Sequence, residues 1–164
     1  MLPDFLSLWR QPTQLLALGF GSGLSPMMPG TMGTLVAVPL YLLVAFMPLG
    51  VQIAAVIISF LTGIYLCQRT ADALGVHDHP AIVWDEFDGY WATMLVVPLL
   101  GETIKAQWLL LGFVLFRLFD ILKPWPIGWI DSKVSGGFGI MLDDALAAVY
   151  SGCILAMVIL WTAK

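Results

Sequence analysis

Charged residues are scarce in this chain, and long stretches have none. Only 11% of the 164 residues are Asp, Glu, Lys or Arg, and 60% are hydrophobic, whereas a soluble domain carries about 25% charged residues. No charged residue occurs between Arg10 and Arg69. The composition therefore excludes an ordinary soluble domain and indicates an integral membrane protein, in which each helical span needs about 20 apolar residues.

Other absences narrow the possible functions. The chain has two cysteines, Cys67 and Cys153, which imply neither a disulfide framework nor a zinc site. It has no run of basic residues, so we expect no binding to nucleic acid. It has no evident internal repeat. Glycines interrupt the apolar stretch that follows Arg10, so a cleaved signal peptide is not expected.

Apolar runs bounded by Pro, Gly and charged residues predict the topology. We predict an all-α polytopic membrane bundle of about five spans, forming a single domain over residues 1–164. Residues 13–24 are too few and too rich in Gly to span, and predict a short interfacial or re-entrant helix. The spans are predicted at residues 34–46, 51–67, 82–100, 108–123 and 145–161.

The basic residues divide unequally between the two faces of such a bundle. Two of them, Lys105 and Lys164, fall on one side. The other side takes five, namely Arg10, Arg69, Arg117, Lys123 and Lys133. By the positive-inside rule, the side with five basic residues faces the cytoplasm. Most acidic residues fall on that same face, so the polar chemistry of the chain is predicted to converge there.

Two pairs of adjacent carboxylates begin predicted spans on the cytoplasmic face, Asp85-Glu86 and Asp143-Asp144. The helix dipole alone stabilises an acid in a first turn by about 0.3–1 kcal/mol, which is enough to explain one pair. Two pairs on one face favour a site for a hard cation such as Mg²⁺, which prefers oxygen ligands. Holding an ionisable group at membrane depth costs about 2.5–3.5 kcal/mol, which also favours a functional role.

Arg117, Asp120 and Lys123 follow one another at intervals of three residues, and so lie near one face of a predicted helix. One interpretation is an intrahelical series of ion pairs with Lys123 extending to the interface. The alternative, which we favour, is phosphate binding, because a guanidinium among apolar neighbours needs a partner and can bind a phosphate through two hydrogen bonds.

The loop over residues 21–34 is dense in Gly, Pro and hydroxyl side chains, including Ser22, Ser25 and Thr31. Glycines allow close approach of backbone N–H groups to a phosphate, and the following helix offers its positive end. The Walker lysine is missing, so this is not a P-loop. A simple turn that enters the membrane explains the composition equally well.

Two further loops carry polar residues. His77 and His79 have no third zinc ligand at a characteristic spacing, so an ordinary polar loop is the simpler interpretation, although His79 has the chemistry to shuttle a proton. The glycines of residues 135–139 predict a flexible turn before Asp143. That turn either brings the carboxylates to a metal or only reverses the chain.

Taken in order, these motifs resemble the phosphatidylglycerophosphatase A family of bacterial inner membranes. The resemblance runs from about residue 15 to residue 155. The matching motifs are Gly21–Pro26 with Pro29-Gly30-Thr31, Val83–Glu86 with Gly89, Phe116-Arg117 with Phe119-Asp120 and Lys123-Pro124, and Gly136-Gly137 with Asp143-Asp144.

The resemblance implies a Mg²⁺-dependent lipid phosphatase that converts phosphatidylglycerophosphate into phosphatidylglycerol and phosphate. It further implies a phospholipid partner, an inner-membrane location and a cytoplasmic active face, and leaves the oligomeric state open. The expected catalytic residues are Asp85, Glu86, Asp120, Asp143 and Asp144. We expect the metal ligands among Asp85, Glu86, Asp143 and Asp144. The expected substrate-binding residues are Arg117, Lys123, Ser22, Ser25, Thr31 and His79.

Other classes of protein are weighed against this one. A small transporter or channel subunit would also carry intramembrane charges and broken apolar segments, but needs access from both faces. A CDP-alcohol phosphotransferase would share acids and Mg²⁺, but its longer Asp-rich signature is missing. The Cys-x5-Arg signature of cysteine-dependent phosphatases is missing too. Direct attack by water and an aspartyl-phosphate intermediate both remain open.

Overall fold

The computed structural model describes residues 8–76 and 78–163, so the expectations for His77 and Lys164 lie outside the described residues. The described chain is built from α-helices, one 3₁₀ helix at Gly19–Leu24, and short connections. The α-helices are α1 (Pro12–Ala17), α2 (Pro29–Leu42), α3 (Leu49–Leu74), α4 (Trp84–Met94), α5 (Val96–Leu99), α6 (Ala106–Leu122), α7 (Ile127–Lys133) and α8 (Gly136–Thr162). The all-α prediction is confirmed.

Proline and positive φ angles set several helix ends. Pro29 is the first residue of α2, where its fixed φ favours helix and its missing N–H is not needed. Helix α3 ends at Gly75, whose φ of 70° is readily adopted by glycine. Helix α6 ends at Lys123, which also has a positive φ and precedes Pro124. The predicted stop before Pro124 is confirmed.

Helix α8 lies at the centre of the fold and packs against α3, α4 and α6. The main core cluster consists of buried aromatic and aliphatic side chains from six helices, including Tyr41, Tyr90, Phe116 and Leu155. The rings of Tyr41 and Tyr90 meet edge to face, with their centroids 6.1 Å apart. This core holds together the helix ends that carry the acidic and basic residues.

Two of the predicted spans are long and apolar enough to cross a membrane, Leu49–Leu74 and Gly136–Thr162, among the residues that the structure describes. Helix α2 has only 14 residues and α6 has 17. At about 1.5 Å per residue, α2 is roughly 21 Å long, short of the roughly 30 Å thickness of a bilayer core. The five-span arrangement is therefore not confirmed.

The helix predicted over residues 82–100 is interrupted after Met94, where α4 ends and α5 begins. Pro98 has no N–H, so it cannot donate to the Met94 carbonyl four residues earlier. The Tyr41 hydroxyl lies 3.4 Å from that carbonyl oxygen and donates to it. A single continuous helix was the wrong prediction here.

Helix α8 begins at Gly136, nine residues before the predicted start of the last span. The predicted flexible turn over residues 135–139 is wrong, since Gly137 and Gly139 are helical and tightly packed. A Cβ at either glycine would overlap a backbone carbonyl, of Ile64 or Val134 respectively. Asp143-Asp144 therefore lies about two turns inside α8 and does not begin it. The helix dipole, which acts within the first turn, does not explain this pair.

The short N-terminal helix predicted over residues 13–24 is found as α1 and the 3₁₀ helix. The 3₁₀ segment itself contains a kink, with a φ of 57° at Phe20 and 97° at Gly21. The Val83 N–H donates to the Ala17 carbonyl at 2.9 Å, which ties this segment to the start of α4. The N-terminal segment thus packs beside the residues that lead into the first carboxylate pair.

Candidate active site

A cavity of about 390 Å³ lies at the end of the bundle where α4 begins and α6 ends. Its wall is formed by the start of α2, the loop before α4, the first turn of α4, the end of α6 and the early part of α8. The lining residues are Met28, Pro29, Gly30, Thr31, Asp78, Pro80, Ile82, Asp85, Glu86, Arg117, Asp120, Ile121, Lys123, Asp143 and Asp144.

Three carboxylates meet on one side of this cavity. One oxygen from each of Asp85, Glu86 and Asp144 lies within 4.8 Å of the others. Glu86 and Asp144 are buried, with 8% and 2% of their surface exposed. Each of the three has a buried oxygen with no hydrogen-bond partner in the part of the chain that the structure describes. Such a group is costly unless a cation or protons balance it.

The packing of α4 against α6 and α8 brings these carboxylates together. Asp85 and Glu86 lie in the first turn of α4, as predicted. Gly89 lies one turn further on, where an added Cβ would be 2.5 Å from the Phe116 ring and 3.2 Å from the Asp144 carbonyl oxygen. The lack of a side chain at Gly89 therefore permits the close crossing that places Asp144 beside the first turn of α4.

The three-carboxylate cluster fits a hard divalent cation. Oxygen ligands of one Mg²⁺ lie at about 2.1 Å from the ion, and hence at most roughly 4.2 Å from each other. The observed limit of 4.8 Å is close to that value, and an all-oxygen donor set is the one that Mg²⁺ prefers. The unpartnered buried oxygens are the atoms that such an ion would satisfy.

Asp143 lines the cavity but lies outside the three-carboxylate cluster. Neighbouring residues on a helix point about 100° apart, so Asp143 and Asp144 face different partners. The Lys123 Nζ donates to Asp143 Oδ2 at 2.6 Å. The geometry places Asp143 with Lys123, and leaves Asp144 for the cluster.

Arg117 lies next to the three-carboxylate cluster and contacts one of its members, Glu86. Its Nη1 forms an ion pair with Asp120 and lies 3.6 Å from Glu86 Oε1. The same nitrogen lies 3.5 Å from the Thr34 hydroxyl oxygen, which itself donates to the Gly30 carbonyl at 2.9 Å. Asp120 therefore orients Arg117. Glu86 has one oxygen towards the guanidinium and another with no hydrogen-bond partner among the described residues.

Lys123 is held by two carboxylates. In addition to Asp143, its Nζ lies 2.9 Å from Asp131 Oδ1 on α7. Partial burial alone would lower the pKa of Lys123, but the hydrogen bonds and charges of Asp143 and Asp131 outweigh it and raise that pKa above its ordinary value. Lys123 is therefore an ammonium ion at neutral pH.

The start of α2 forms the cavity wall beside the Glu86 carboxylate and the Arg117 guanidinium. Thr31 lines the cavity, and its hydroxyl oxygen is buried with no hydrogen-bond partner among residues 8–76 and 78–163. A Cβ at Gly30 would overlap Glu86 Oε1 and lie 3.1 Å from both terminal nitrogens of Arg117. The backbone of α2 thus approaches the carboxylate and the guanidinium as closely as glycine allows.

Three predicted substrate-binding residues are not among those that line the cavity. Ser22 and Ser25 donate to the carbonyls of Gly19 and Met27, both at 2.8 Å. The His79 Nδ1 accepts a hydrogen bond from the Ala81 N–H at 3.1 Å. His79 is flanked by two lining residues, but the structure does not bring its ring into the cavity wall.

Four residues at or next to the cavity were not among the predicted site residues, namely Gly30, Thr34, Asp78 and Asp131, although Gly30 belongs to the matching motif Pro29-Gly30-Thr31. The start of α2 at Pro29 gives a signal for two of them, because Gly30 and Thr34 then lie one turn apart on the same helix face. Asp131 gave no signal, since its contact with Lys123 depends on the path of residues 124–126. Asp78 gave only its place beside the polar His79.

The cavity thus combines an acidic wall with a cationic one. Three carboxylates can hold a divalent cation, while Arg117, Lys123 and the start of α2 offer N–H and O–H donors to an anion. A phosphate ester bound between the walls would contact both. This arrangement is suited to phosphoryl chemistry, in which catalysis depends on positioning and charge neutralisation.

Comparison with known proteins agrees with this chemistry. Phosphatidylglycerophosphatase A of Escherichia coli strain K12 is 51% identical over 144 residues, which cover 88% of this chain and 81% of that protein. Phosphatidylglycerophosphatase A of Haemophilus influenzae is 46% identical over 152 residues, covering 92% of this chain and 90% of that protein.

A third relative, from Bacteroides thetaiotaomicron, is provisionally named a phosphatidylinositol-3-phosphatase. It is 38% identical over 149 residues, covering 87% of this chain and 91% of that protein. No solved structure matches the chain. The family model described as phosphatidylglycerophosphatase A matches residues 15–159. The chain therefore belongs to the phosphatidylglycerophosphatase A family, and it is a phosphatase, a phosphoric monoester hydrolase.

Proposed function

We propose that this enzyme is a Mg²⁺-dependent lipid phosphatase that hydrolyses phosphatidylglycerophosphate to phosphatidylglycerol and phosphate. The observation that carries the proposal is the meeting of three carboxylate oxygens within 4.8 Å in a cavity also lined by Arg117 and Lys123. The names of the two relatives from Escherichia coli and Haemophilus influenzae support the choice of substrate.

Asp85, Glu86 and Asp144 are the residues that would hold Mg²⁺. When bound, the ion would neutralise phosphate charge and lower the pKa of a coordinated water. Glu86 has a special place, because one of its oxygens faces Arg117 and the other has no partner among the described residues. It therefore links the cation site to the phosphate site.

Arg117 and Lys123 bind the phosphoryl oxygens in this proposal. The guanidinium offers parallel N–H donors and the ammonium adds a second positive charge, so both stabilise the charge of the transferring group. Thr31 and the first N–H groups of α2 add donors at the positive end of a helix. The oxygen of water bonds to phosphorus, the bond from phosphorus to the glycerol oxygen breaks, and the alcohol leaves with a proton.

We propose that the enzyme is an integral protein of the bacterial inner membrane. Ile58 and Leu61 on α3, and Met157 and Leu160 on α8, are more than half exposed, which suits contact with lipid. The cavity lies at one end of these helices, next to the segments that carry most of the basic residues. By the positive-inside rule this end faces the cytoplasm.

In this proposal residues 1–164 form one domain with five membrane segments. The three shorter segments are α2, α4 with α5, and α6. Helices α4 and α6 pack against the long helix α8, and α2 packs against α4 and α6. Leu35 on α2 and Leu110 on α6 are 53% and 66% exposed, which supports their contact with lipid as well. The acyl chains of the substrate stay in the bilayer while its phosphate enters the cavity.

The test is phosphate release by the purified protein from a panel of phosphate esters. The panel contains phosphatidylglycerophosphate, phosphatidic acid, phosphatidylinositol 3-phosphate and water-soluble glycerol phosphate, each with Mg²⁺ and with excess EDTA. We expect Mg²⁺-dependent release that is fastest from phosphatidylglycerophosphate. Faster release from the phosphoinositide would instead support the activity in the name of the Bacteroides relative. Solute flux into liposomes without phosphate release would favour a transporter.

A further inference from the structure

Lys123 contacts two carboxylates, and only one of them lines the cavity. Asp143 is a buried lining residue whose side chain is 6% exposed, at 2.6 Å from the Lys123 Nζ. Asp131 lies on α7, outside the lining residues of this cavity, with its side chain 38% exposed and its Oδ1 at 2.9 Å. No metal or phosphate role explains why a second acid should contact this lysine from outside.

We propose that Asp131 is a positioning residue, which fixes the Lys123 ammonium so that its remaining N–H points to the substrate phosphate. An ammonium group has three N–H donors. Asp143 and Asp131 accept two of them, which leaves one for a phosphoryl oxygen. This inference rests on the proposed function, in which Lys123 binds phosphate.

The backbone around Lys123 holds Asp131 in place for this role. The Gly128 N–H donates to the Lys123 carbonyl at 3.2 Å, and the Ile127 N–H donates to the Pro124 carbonyl at 2.7 Å. Ile127 is fully buried in the core, so it anchors the start of α7. Asp131 therefore lies on a helix, α7, whose backbone is hydrogen-bonded to Lys123, the residue that Asp131 orients. The Lys123 side chain loses its rotamer freedom before the substrate binds.

The direction in which Asp131→Asn changes KM distinguishes a positioning role of Asp131 from a purely electrostatic one. Asp131 adds a negative charge near a site for a doubly charged phosphate ester. If that charge acted only through its field, Asp131→Asn would remove repulsion and lower KM. If Asp131 positions Lys123, the same substitution loosens the ammonium and raises KM, even though a negative charge has been removed.

The experiment compares Asp131→Asn with Glu102→Gln in the full-length enzyme. Glu102 is a matched control, because it also pairs with a lysine, Lys105 at 3.1 Å, in the loop at the other end of the α4–α5 segment. We measure kcat, KM for phosphatidylglycerophosphate, and inhibition by inorganic phosphate. We expect Asp131→Asn to raise KM and the phosphate inhibition constant by about threefold to tenfold, the effect of losing one ordinary hydrogen bond.

Two further variants test whether the rise in KM depends on the Asp131 carboxylate and on Lys123. Asp131→Glu should return KM to within about twofold of the wild type, because the carboxylate is restored at a half-exposed position. In a Lys123→Gln background, Asp131→Asn should change nothing further, since its effect passes through the lysine. Equal melting temperatures of all variants show that folding is unchanged.

The outcomes also separate this inference from the proposed function. Unchanged or lower KM in Asp131→Asn, together with weaker phosphate binding in Lys123→Gln, overturns the positioning role alone. Wild-type phosphate binding in Lys123→Gln contradicts the proposed role of Lys123 itself. An effect of Asp131→Asn that persists in the Lys123→Gln background also overturns the inference.

Discussion

Replacing Gly30 with alanine tests whether the acidic and cationic walls are as close as the structure places them. Gly30 is the second residue of α2, at the cavity wall. An added Cβ would overlap Glu86 Oε1 and lie 3.1 Å from both terminal nitrogens of Arg117. These atoms are the ends of flexible side chains, so they can move away without shifting α2.

The expected magnitude follows from what those side chains do. Displacing Glu86 breaks its 3.6 Å contact with Arg117 and moves its carboxylate away from Asp85 and Asp144. Loss of one preorganised charge-stabilising group costs about 100-fold to 1000-fold in rate. Alanine has a higher helix propensity than glycine by up to about 1 kcal/mol, which offsets part of the steric cost to folding. Activity should therefore fall by about 100-fold while the melting temperature changes little.

The assay is Mg²⁺-dependent phosphate release, with Gly50→Ala as the control. Gly50 is also the second residue of its helix, α3, but a Cβ there would lie more than 4 Å from any neighbouring side chain or packed backbone of the described residues. The control should retain wild-type activity and give the same or a slightly higher melting temperature. If Gly30→Ala is as active as Gly50→Ala, the close approach of α2 to Glu86 and Arg117 is not important for catalysis, and the reasoning is refuted.

Three other substitutions test separate parts of the account. Asp85→Asn should abolish Mg²⁺-dependent phosphate release in a protein that stays folded, with Glu102→Gln as the charge-matched control; near-normal turnover would remove Asp85 from the metal site. Arg117→Lys keeps the charge but loses the planar fork, so kcat/KM should fall about tenfold to 100-fold; equal kinetics would argue against bidentate binding. Gly89→Ala would collide with the Phe116 ring and should destabilise the fold by about 1–3 kcal/mol, measured by thermal denaturation.

Most of the charged site could be predicted from the sequence, because unpaired charges among apolar residues are costly and therefore informative. The first turn of α4 was placed correctly, and the predicted convergence of Asp85, Arg117, Lys123 and Asp144 on one cavity agrees with the structure. The sequence could not predict that Asp143 contacts Lys123 while Asp144 joins the three-carboxylate cluster. It depends on which way each side chain points from α8, and hence on how that helix packs.

The glycine-rich segments were the least predictable part. Residues 135–139 were expected to form a turn, because glycine disfavours helix by about 1 kcal/mol relative to alanine. In the structure, Gly137 packs against the backbone of α3, where a Cβ would lie 2.8 Å from the Gln68 nitrogen, and the Gln68 side chain accepts a hydrogen bond from the Gly137 N–H. Tertiary packing therefore overrides local propensity, and nothing in the local sequence reveals it.

Binding of Mg²⁺ to the metal-free protein tests the central claim most directly. Isothermal titration calorimetry of wild type, Asp144→Asn and Glu102→Gln in the same detergent measures the stoichiometry and affinity of Mg²⁺ binding without any turnover. The three-carboxylate cluster predicts a single Mg²⁺ per chain for wild type and Glu102→Gln, and an affinity lower by more than about tenfold for Asp144→Asn. Equal affinity in all three proteins would contradict a metal site built from Asp85, Glu86 and Asp144.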